Sequence, residues 1–505
     1  MAGRNKSLKT SLYQLVISRL DGSRIGDPRY ESRLISLVKK GIGGFILFGG
    51  QKDVVKEFIH RMQAEAETPL LIASDIERGV HQQVSGYTPF PCQMAVSGAV
   101  DMDRPDDVQL LSDAVRSVAE EAGETGINMP LIPVLDVNQD PDNPIICTRA
   151  FSDSPEMTSR FGEVYIRILE EARLLSCAKH FPGHGDTSMD SHIQLPVVQK
   201  SFKDLARIDL VPFRRAIGAG VSSVMAGHLV VSSIDRKPAS LSEMLISGLL
   251  RKELGFEGLV LTDALNMHAL KGISNVPAQS LKAGVDILLH PDDPDSTVEE
   301  LEASLGAGEI SADHIEMALS RITRAKERIW EKESGAIDWR RHGELSQRIT
   351  AKSITLVKYT PKILPLSGID NVSVVLAGDD KYFKSSLLRS CFRSQAHTGE
   401  SRQSPGELSE ETLVIAIFTS VAAWKGSSGI YELERQRINA SLTRARRSVV
   451  VSFGSPYVLR HFKSASILVA AYEPTEQAQN AVIRCLLGEL EFQGRLPVSL
   501  DFGSL

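Results

Sequence analysis

Three histidines and two aspartates lie within thirteen positions of one segment, residues 178–196, which has the sequence AKHFPGHGDTSMDSHIQLP. The proline and glycines around His184 disfavour a helix, so this segment is expected to form a loop. Asp190 and His192 lie two positions apart, so in an extended loop their side chains can point the same way and hydrogen-bond. A carboxylate on one imidazole nitrogen fixes the tautomer and leaves the other nitrogen free to transfer a proton, as a histidine does well near neutral pH. The segment therefore predicts an acid/base loop.

Two other interpretations of this segment stay open. It could be a polar surface loop, although that gives no reason for the concentration of histidines and aspartates. It could also bind a metal ion, because it contains four possible ligands: His180, His184, Asp190 and His192. The spacing of His180 and His184 suits metal binding only on a helix, and Pro182 between them breaks that geometry. We therefore expect neither a metal ion nor another cofactor.

The elements that must position this loop are short apolar runs, each followed by a longer stretch with helical spacing. Eight such runs come early in the chain, at residues 12–20, 43–48, 70–75, 129–137, 174–181, 222–229, 258–263 and 285–290. Runs as apolar as these suit parallel strands that are covered by helices on both faces. Eight of them, alternating with helices, predict a (β/α)8 TIM-like barrel.

Many of the predicted strands end on a polar side chain that could do chemistry. These residues are Asp75, Asp136, Lys179 with His180, His228, Asp263 and His290. One aspartate at a strand end means little, because aspartate is also a common helix cap and turn residue. Active sites of barrels lie at the C-terminal ends of the strands, so the whole set is expected to converge on one mouth.

The length of 505 residues exceeds what one hydrophobic core can hold, because single cores stop growing at about 250–300 residues. We expect a catalytic TIM-like barrel over residues 1–335, a charged linker over residues 336–350, and a smaller α/β sandwich domain over residues 351–505. The fold class is therefore α/β, with two domains.

Composition excludes several kinds of partner. The net charge of −6 provides no basic surface for nucleic acid or for anionic lipid. No stretch approaches the roughly 20 apolar residues of a membrane span, and the N-terminus has no signal-peptide pattern. The five cysteines are scattered without metal-like spacing, as is typical of buried thiols in a reducing compartment. These features predict a cytoplasmic protein, and they do not indicate an oligomeric state.

The pattern KHFPGHGxxxxDSH, present without a break from residue 179 to residue 192, is that of glycoside hydrolase family 3. The chain resembles the bacterial β-N-acetylglucosaminidase branch of that family. Further blocks are similar to it in the same order: GGFILF at 43–48, PVLDV at 133–137, TRAFS at 148–152, LTDALNM at 261–267 and AYEPTEQAQNAVIRCLLGELEFQGRLPVSL at 471–500. The resemblance covers nearly the whole chain.

The resemblance implies a role for each matching residue. Asp263 is implied to be the nucleophile of a retaining glycosidase, and His192, assisted by Asp190, its acid/base. Residues that bind sugar hydroxyls are implied to be Asp75, Arg149, Lys179 and His180. Charged groups of this kind suit the task, because a sugar is recognised by several convergent hydrogen bonds. His228, at the end of the sixth predicted strand, is expected either to face the sugar as well or to be a packed structural histidine.

One block departs from the family pattern. The family usually has a block like DQEGGRVQR after the third strand, whereas residues 75–83 are DIERGVHQQ. Val80 stands where an arginine is expected, and Arg78, two positions earlier, is the candidate to replace its contact with the sugar. The departure concerns sugar preference and leaves the reaction class unchanged.

The expected substrate is a small carbohydrate, with removal of terminal non-reducing β-N-acetylglucosamine, and the resemblance adds muropeptides of peptidoglycan recycling as natural substrates. A phosphorylase is one alternative, because an imidazole acid/base does not repel phosphate as a carboxylate would. A metal-dependent barrel hydrolase is a second. A non-catalytic sugar-binding protein is a third, against which the intact Asp190, His192 and Asp263 count.

Overall fold

The structure is a computed structural model that describes residues 8–187, 195–329, 336–366, 372–392, 412–421, 427 and 429–502. Asp190 and His192, the predicted acid/base pair, lie outside the described residues. The chain divides into two compact units. The first consists of Met1–Phe90, Ser112–Val137 and Pro155–Gly343, and the second of Pro91–Leu111, Asn138–Ser154 and Glu344–Leu505.

The first unit contains ten described strands. They are β1 (Val16–Asp21), β2 (Gly44–Phe48), β3 (Leu71–Ser74), β4 (Met129–Pro130), β5 (Cys177–Phe181), β6 (Val197–Val198), β7 (Ser223–Ala226), β8 (Val230–Val231), β9 (Leu259–Thr262) and β10 (Leu288–Leu289). Two parallel sheets have the orders β10-β1-β2-β3-β4 and β5-β7-β9, and β6 pairs with β8 outside them. Parallel bridges from Val134 to Lys179 and from Leu261 to Ile287 join the two sheets at both ends. Eight strands therefore follow one another around a closed ring.

The eight predicted strands are all present, but most are shorter than the predicted runs, and the fourth covers only the first two residues of the run 129–137. The first predicted run is divided between helix α1 (Leu8–Tyr13) and β1. Helices α2 (Pro28–Lys40), α3 (Lys52–Glu65), α6 (Pro155–Glu171), α7 (Phe202–Arg207), α8 (Leu210–Gly218), α9 (Val276–Ala283), α10 (Pro294–Gly306) and α11 (Ala312–Arg328) lie between or after the strands. A π-helix, Met244–Glu253, precedes β9. The fold of this unit is a TIM-like barrel, as predicted.

The second unit is an α/β domain with a five-stranded sheet. Its strands are β11 (Thr355–Lys358), β12 (Val372–Gly378), β13 (Thr412–Phe418), β14 (Arg447–Phe453) and β15 (Ile467–Ala470), in the order β11-β15-β14-β13-β12. Only β11 is antiparallel to its neighbour. Its described helices include α4 (Gln93–Ala99), most of α12 (Trp339–Ser353), α13 (Leu387–Cys391), α14 (Glu432–Arg444) and α15 (Glu476–Leu486).

Burial on both faces of this sheet explains its apolar strands. In β13, Val414 and Ala416 join the core that contains Val482 of α15. Ile415 and Ile417, which alternate with them, join a separate core that contains Ile438 of α14. Side chains alternate between the two faces of a strand, so helices cover the sheet on both sides. The predicted α/β sandwich is therefore present.

The boundaries of the two units differ from the prediction, which divided the chain once, at a linker over residues 336–350. Helix α12 (Trp339–Ser353) runs through most of that predicted linker, and α5 (Pro105–Thr125) contains another point of division. The segments Pro91–Leu111 and Asn138–Ser154 belong to the second unit. Met94 of α4 explains the first of these segments, because its side chain is part of the second unit's core.

Within the described ranges, no helix is both long enough and apolar enough to cross a bilayer.

Candidate active site

Lys179, in strand β5, links two acidic side chains at the barrel mouth. Its Nζ lies 2.6 Å from Oδ1 of Asp75 and 2.7 Å from Oε1 of Glu77, and its side chain is only 1% exposed. A desolvated ammonium group is tolerated only when such partners offset the loss of water. Asp75 directly follows β3, so this cluster connects the third and fifth strands of the barrel.

Asp136, which follows β4, organises the next group of side chains. It is fully buried. Its Oδ2 accepts a hydrogen bond from Nδ1 of His180 at 2.7 Å, and its Oδ1 accepts one from the backbone N–H of His184, also at 2.7 Å. Burial alone would raise the pKa of Asp136, but the interactions with His180 and His184 outweigh it and hold that pKa below its usual value. Asp136 is therefore a fixed anion that orients His180.

His184 begins the anchored part of the loop that leads to the predicted acid/base pair. Its ring is buried and its Nδ1 lies 2.7 Å from the hydroxyl oxygen of Thr187. Burial lowers the pKa of His184 to about 4, so the ring is neutral at physiological pH. Gly185 passes so close to the segment that follows β4 that a Cβ there would lie 1.8 Å from the carbonyl oxygen of Val137. Only glycine fits at that position, and it holds the loop against the barrel.

The residues that follow this loop in the sequence are anchored as well. Nζ of Lys200 lies 3.2 Å from Oδ2 of Asp186 and 2.8 Å from Oδ2 of Asp209. Asp186 precedes the segment that contains Asp190 and His192, and Lys200 follows it. Lys200 therefore ties together the described residues on either side of the predicted acid/base pair.

Asp263, the predicted nucleophile, directly follows β9 and is half-buried. Its backbone N–H donates to the carbonyl oxygen of Ala226 at the end of β7, at 2.9 Å. One carboxylate oxygen, Oδ1, accepts a hydrogen bond from the backbone N–H of Ala264 at 2.7 Å. These bonds fix the residue at the C-terminal end of its strand, on the side of the barrel where active sites form.

His290, directly after β10, lies within electrostatic reach of two of these carboxylates. Burial lowers its pKa to about 4, and Arg19 lowers it too, whereas the charges of Asp75 and Asp263 act in the opposite direction. Its ring centroid lies 5.6 Å from that of Phe48. Ends of several strands therefore bring charged and polar groups to the same mouth, as the pattern of strand-end residues predicted.

His228 is placed as a packed histidine, so the expectation of a sugar contact needs correction. It is fully buried. Its Nδ1 lies 2.7 Å from the hydroxyl oxygen of Ser240, and its Nε2 lies 3.1 Å from the carbonyl oxygen of Ala264. With both ring nitrogens engaged by protein atoms, the ring offers no obvious place for a sugar hydroxyl.

The two arginines that the sequence proposed for sugar binding lie in different units. Arg78 is exposed, in the turn after β3, while Val80, at the position of the family arginine, is fully buried. Arg149 belongs to the second unit. There its Nη1 donates to the carbonyl oxygen of Ile145 at 3.1 Å. Their sugar-binding roles stay predictions.

Sequence reasoning assigned no role to Glu77 or Asp136. Glu77 lies two positions after Asp75 inside the block that departs from the family pattern, so its proximity to a strand end was the available signal. Asp136 was recognised as a strand-end residue but not as a partner of His180. Among the described residues, no group of three or more His, Cys, Asp or Glu side chains could hold a metal ion. Asp190 and His192 lie outside those residues.

A closed ring of eight parallel strands, with charged side chains gathered at their C-terminal ends, defines the class of (β/α)8-barrel enzymes. The family model described as the glycosyl hydrolase family 3 N-terminal domain matches residues 8–325. The chain therefore belongs to glycosyl hydrolase family 3 and is a glycosidase.

Similarity to individual relatives supports the same family assignment. Beta-hexosaminidase A of Pseudoalteromonas piscicida is 26% identical over 557 aligned positions, covering 94% of this chain and 91% of the relative. A beta-hexosaminidase of Neisseria meningitidis serogroup C is 34% identical, covering 52% of this chain and 75% of the relative. The structure of a glycoside hydrolase family 3 beta-N-acetylglucosaminidase from Paenibacillus sp. is similar with a TM-score of 0.82 and 27% identity, covering 99% of this chain and all of that one.

Proposed function

We propose that this protein is a retaining β-N-acetylhexosaminidase that removes terminal non-reducing β-N-acetylglucosamine from glycosides. The observation that carries this proposal is the position of Asp263, an aspartate held at the end of β9 by Ala226 and Ala264. The sugar is suggested by the names of the relatives in Pseudoalteromonas, Neisseria and Paenibacillus. The barrel mouth supplies the charged groups that recognition of a sugar requires.

Sugar binding is assigned to Asp75, Lys179 and His180. Asp75 keeps a side-chain exposure of 29% although it pairs with Lys179, so its carboxylate can accept hydrogen bonds from sugar hydroxyls. Asp136 orients His180, and Glu77 helps to hold Lys179 in place. Groups that are fixed before the sugar arrives lose little entropy when they bind it. Arg78 and Arg149 are assigned additional contacts with the sugar.

The proposed reaction forms and then breaks a covalent intermediate. The carboxylate of Asp263 attacks the anomeric carbon while protonated His192 donates its proton to the leaving oxygen. Neutral His192, supported by Asp190, then removes a proton from water, which attacks the same carbon from the side of the departed leaving group. Two inversions give net retention.

The central test is Asp263→Asn, assayed with an aryl β-N-acetylglucosaminide. Asparagine has nearly the same shape but no negative charge, so turnover should fall at least about 1000-fold. Asp313→Asn, on an exposed turn of α11, is the matched control and should keep parental turnover. Asp263→Asn with near-normal turnover would end the assignment.

Acid catalysis by His192 is tested through the leaving group. His192→Ala should lose far less activity on aryl glycosides with good leaving groups, which need no proton, than on natural disaccharides. Equal losses on both kinds of substrate would argue against this role. The anomer first released, followed by NMR, should be β, and an α product would exclude retention.

Phosphorolysis is the second candidate reaction. It is favoured by the proposed use of an imidazole, because neutral His192 does not repel a phosphate ion approaching the glycosyl–enzyme. Assays with and without phosphate should then differ by the appearance of N-acetylglucosamine 1-phosphate.

The natural substrate and the reaction class are tested with one panel. We propose muropeptides as natural substrates. Turnover of muropeptides, aryl β-glucosides and aryl β-N-acetylglucosaminides should be compared to test this. The same comparison measures the sugar preference that Val80 is expected to affect. A protein that binds these sugars but turns none of them over would be a non-catalytic sugar-binding protein. Loss of turnover on treatment with a chelator would instead favour the metal-dependent alternative.

A further inference from the structure

Four residues are connected end to end by hydrogen bonds that finish at the proposed nucleophile. The hydroxyl oxygen of Ser240 lies 2.7 Å from Nδ1 of His228, and Nε2 of His228 lies 3.1 Å from the carbonyl oxygen of Ala264. The backbone N–H of Ala264 then donates to Oδ1 of Asp263 at 2.7 Å. Ser240 and His228 are both fully buried. The chain of contacts therefore runs from a buried turn after β8 to the carboxylate at the barrel mouth.

The direction of each hydrogen bond follows from the chemistry of the partners. A carbonyl oxygen can only accept, so Nε2 of His228 carries a proton. In the neutral ring Nδ1 then accepts, and the hydroxyl of Ser240 donates to it. Ser240 is held in a short 3-10 turn, Ala239–Leu241, whose first residue donates to the carbonyl oxygen of Leu229 at 2.8 Å. The carbonyl group of Ala264 therefore fixes the tautomer of His228, and the hydroxyl of Ser240 holds the ring at its other nitrogen.

The turn after β9 is held from three directions. On one side, the N–H of Asp263 donates to Ala226 of β7, and on the other, the N–H of Leu265 donates to Leu289 of β10, each at 2.9 Å. Between them, the carbonyl group of Ala264 accepts from His228. The Ala264 N–H belongs to the peptide group between Asp263 and Ala264. The three contacts fix the peptide groups on both sides of it, so its orientation depends on all of them. This N–H in turn holds Oδ1 of Asp263.

We infer that His228 is a positioning residue for Asp263: by donating to the carbonyl group of Ala264 it fixes the backbone N–H that orients the nucleophilic carboxylate. The inference rests on the proposed role of Asp263. Reacting groups must be held close to their productive geometry, and a misplacement of about 1 Å can cost about 100-fold in rate. The binding of sugar hydroxyls by Asp75, Lys179 and His180 does not depend on this contact.

The test compares two substitutions of His228 in the full-length protein. Glutamine can still place an amide N–H near the carbonyl oxygen of Ala264, whereas leucine fills the space without any donor. His228→Leu should lower kcat on an aryl β-N-acetylglucosaminide by about 10- to 100-fold, with KM within about threefold. His228→Gln should recover at least about tenfold of this loss, and the rate of glycosyl–enzyme formation should follow kcat.

His342→Leu is the matched control, because His342 is also a buried, hydrogen-bonded histidine of the first unit. It should lower the thermal midpoint but keep parental kcat per folded molecule. A merely structural His228 would behave in the same way, so His228→Leu with parental kcat would overturn the inference. Equal kcat for the leucine and glutamine variants, both reduced, would also overturn it, since the donor would then be irrelevant.

Ser240→Ala keeps the inference testable if His228→Leu does not fold. Without the hydroxyl, Nδ1 of His228 loses its partner and the ring is held less firmly, so kcat should fall by a few-fold at unchanged KM, and parental kcat would count against the inference. Asp263→Asn separates the two proposals. If that variant stays active, the proposed function fails, whereas an inactive Asp263→Asn beside a fully active His228→Leu removes only the role of His228.

Discussion

Among the described residues of the first unit, carboxylates and buried imidazoles meet at two places, and they are connected in opposite ways. At the barrel mouth one carboxylate, Asp136, accepts hydrogen bonds from the ring of His180 and from the backbone of His184. In α12 one imidazole, His342, lies between two carboxylates of α5. Its Nδ1 is 2.8 Å from Oε1 of Glu121, and its Nε2 is 3.1 Å from Oε2 of Glu120.

The number of acceptors decides the charge at each place. Ionised carboxylates only accept, so this arrangement favours the ring with a proton on each nitrogen, the imidazolium. Burial alone would lower the pKa of His342, but the hydrogen bonds and charges of Glu121 and Glu120 raise it above its usual value. At Asp136 the two effects have the opposite signs. Burial alone would raise the pKa of the carboxyl group, but the interactions with His180 and His184 hold it below its usual value.

The carboxylate–imidazole contacts at the two places are expected to serve different purposes, one functional and one structural. Asp136 fixes the ring of His180, which is proposed to touch the sugar, so its replacement should reduce activity as well as stability. His342 joins one helix to another within the first unit, and its hydrogen-bond partners, Glu121 and Glu120, are not assigned to the reaction. Its replacement should reduce stability alone. Substitutions at the two places therefore test whether the assignment of function to the barrel mouth is correct.

The largest effect is expected from Asp136→Ala. This change removes the acceptor of two buried groups, His180 and the N–H of His184, so kcat/KM should fall at least about 100-fold. The free energy of unfolding should fall by about 3 kcal/mol, as when one member of a buried ion pair is deleted. Aryl glycoside kinetics and urea unfolding measure the two quantities. Asp313→Ala, on an exposed part of α11, should change neither, and a kcat/KM within threefold of the parent for Asp136→Ala would contradict the role of Asp136.

His342→Leu should have the next largest effect, on stability alone. Glu121 is fully buried, and it would lose the cation that offsets its burial. The free energy of unfolding should fall by about 2 kcal/mol, while kcat/KM stays within twofold of the parent. His60→Leu, on the exposed side of α3, is a control for the change of residue type. A large loss of kcat/KM in the folded His342→Leu variant would show that the two places are not separate in function.

How far the sequence predicts these regions depends on the distance along the chain between the partners. The eight barrel strands could be predicted, because strands covered on both faces form continuous apolar runs. Strand β11 could not, because Thr355–Lys358 is short and only its first residue is buried. Asp75, Lys179, His180 and Asp263 could be assigned to one mouth, since they stand at strand ends and every parallel strand ends on the same side.

Other features have no local pattern from which they could be predicted. His342 and Glu121 are 221 positions apart, and neither stands in a recognisable motif. The chain of bonds from His228 to Asp263 depends on the carbonyl group of Ala264, which any residue would supply. Helix α4 belongs to the second unit because side chains of α4 are buried in the core of that unit, although α4 lies between barrel strands in the sequence. Such features follow from tertiary packing alone.

The pH dependence of stability should reveal the charge of His342. A group whose pKa is raised on folding stabilises fully below its unfolded pKa, and the contribution is lost as the pH rises through the folded value. Unfolding of the parent and of His342→Gln should therefore be compared at pH 6 and pH 9. The parental advantage should shrink toward pH 9, and an advantage that does not change would mean that the ring is neutral. Asp136 does not interfere, because a group with a lowered pKa loses its contribution only as the pH falls.

The smallest effect is expected from Glu120→Gln, and it sharpens the account of the His342 contact. Glu120 and Glu121 bond to the same ring, but the side chain of Glu120 is 49% exposed and that of Glu121 is fully buried. Water already solvates the exposed carboxylate, so its removal should cost only about 0.5 kcal/mol of unfolding free energy. Glu121→Gln should cost several times more, because it leaves the imidazolium without its buried counter-charge. Equal losses for the two variants, measured by urea unfolding at low and high salt, would mean that burial does not decide the strength of these bonds.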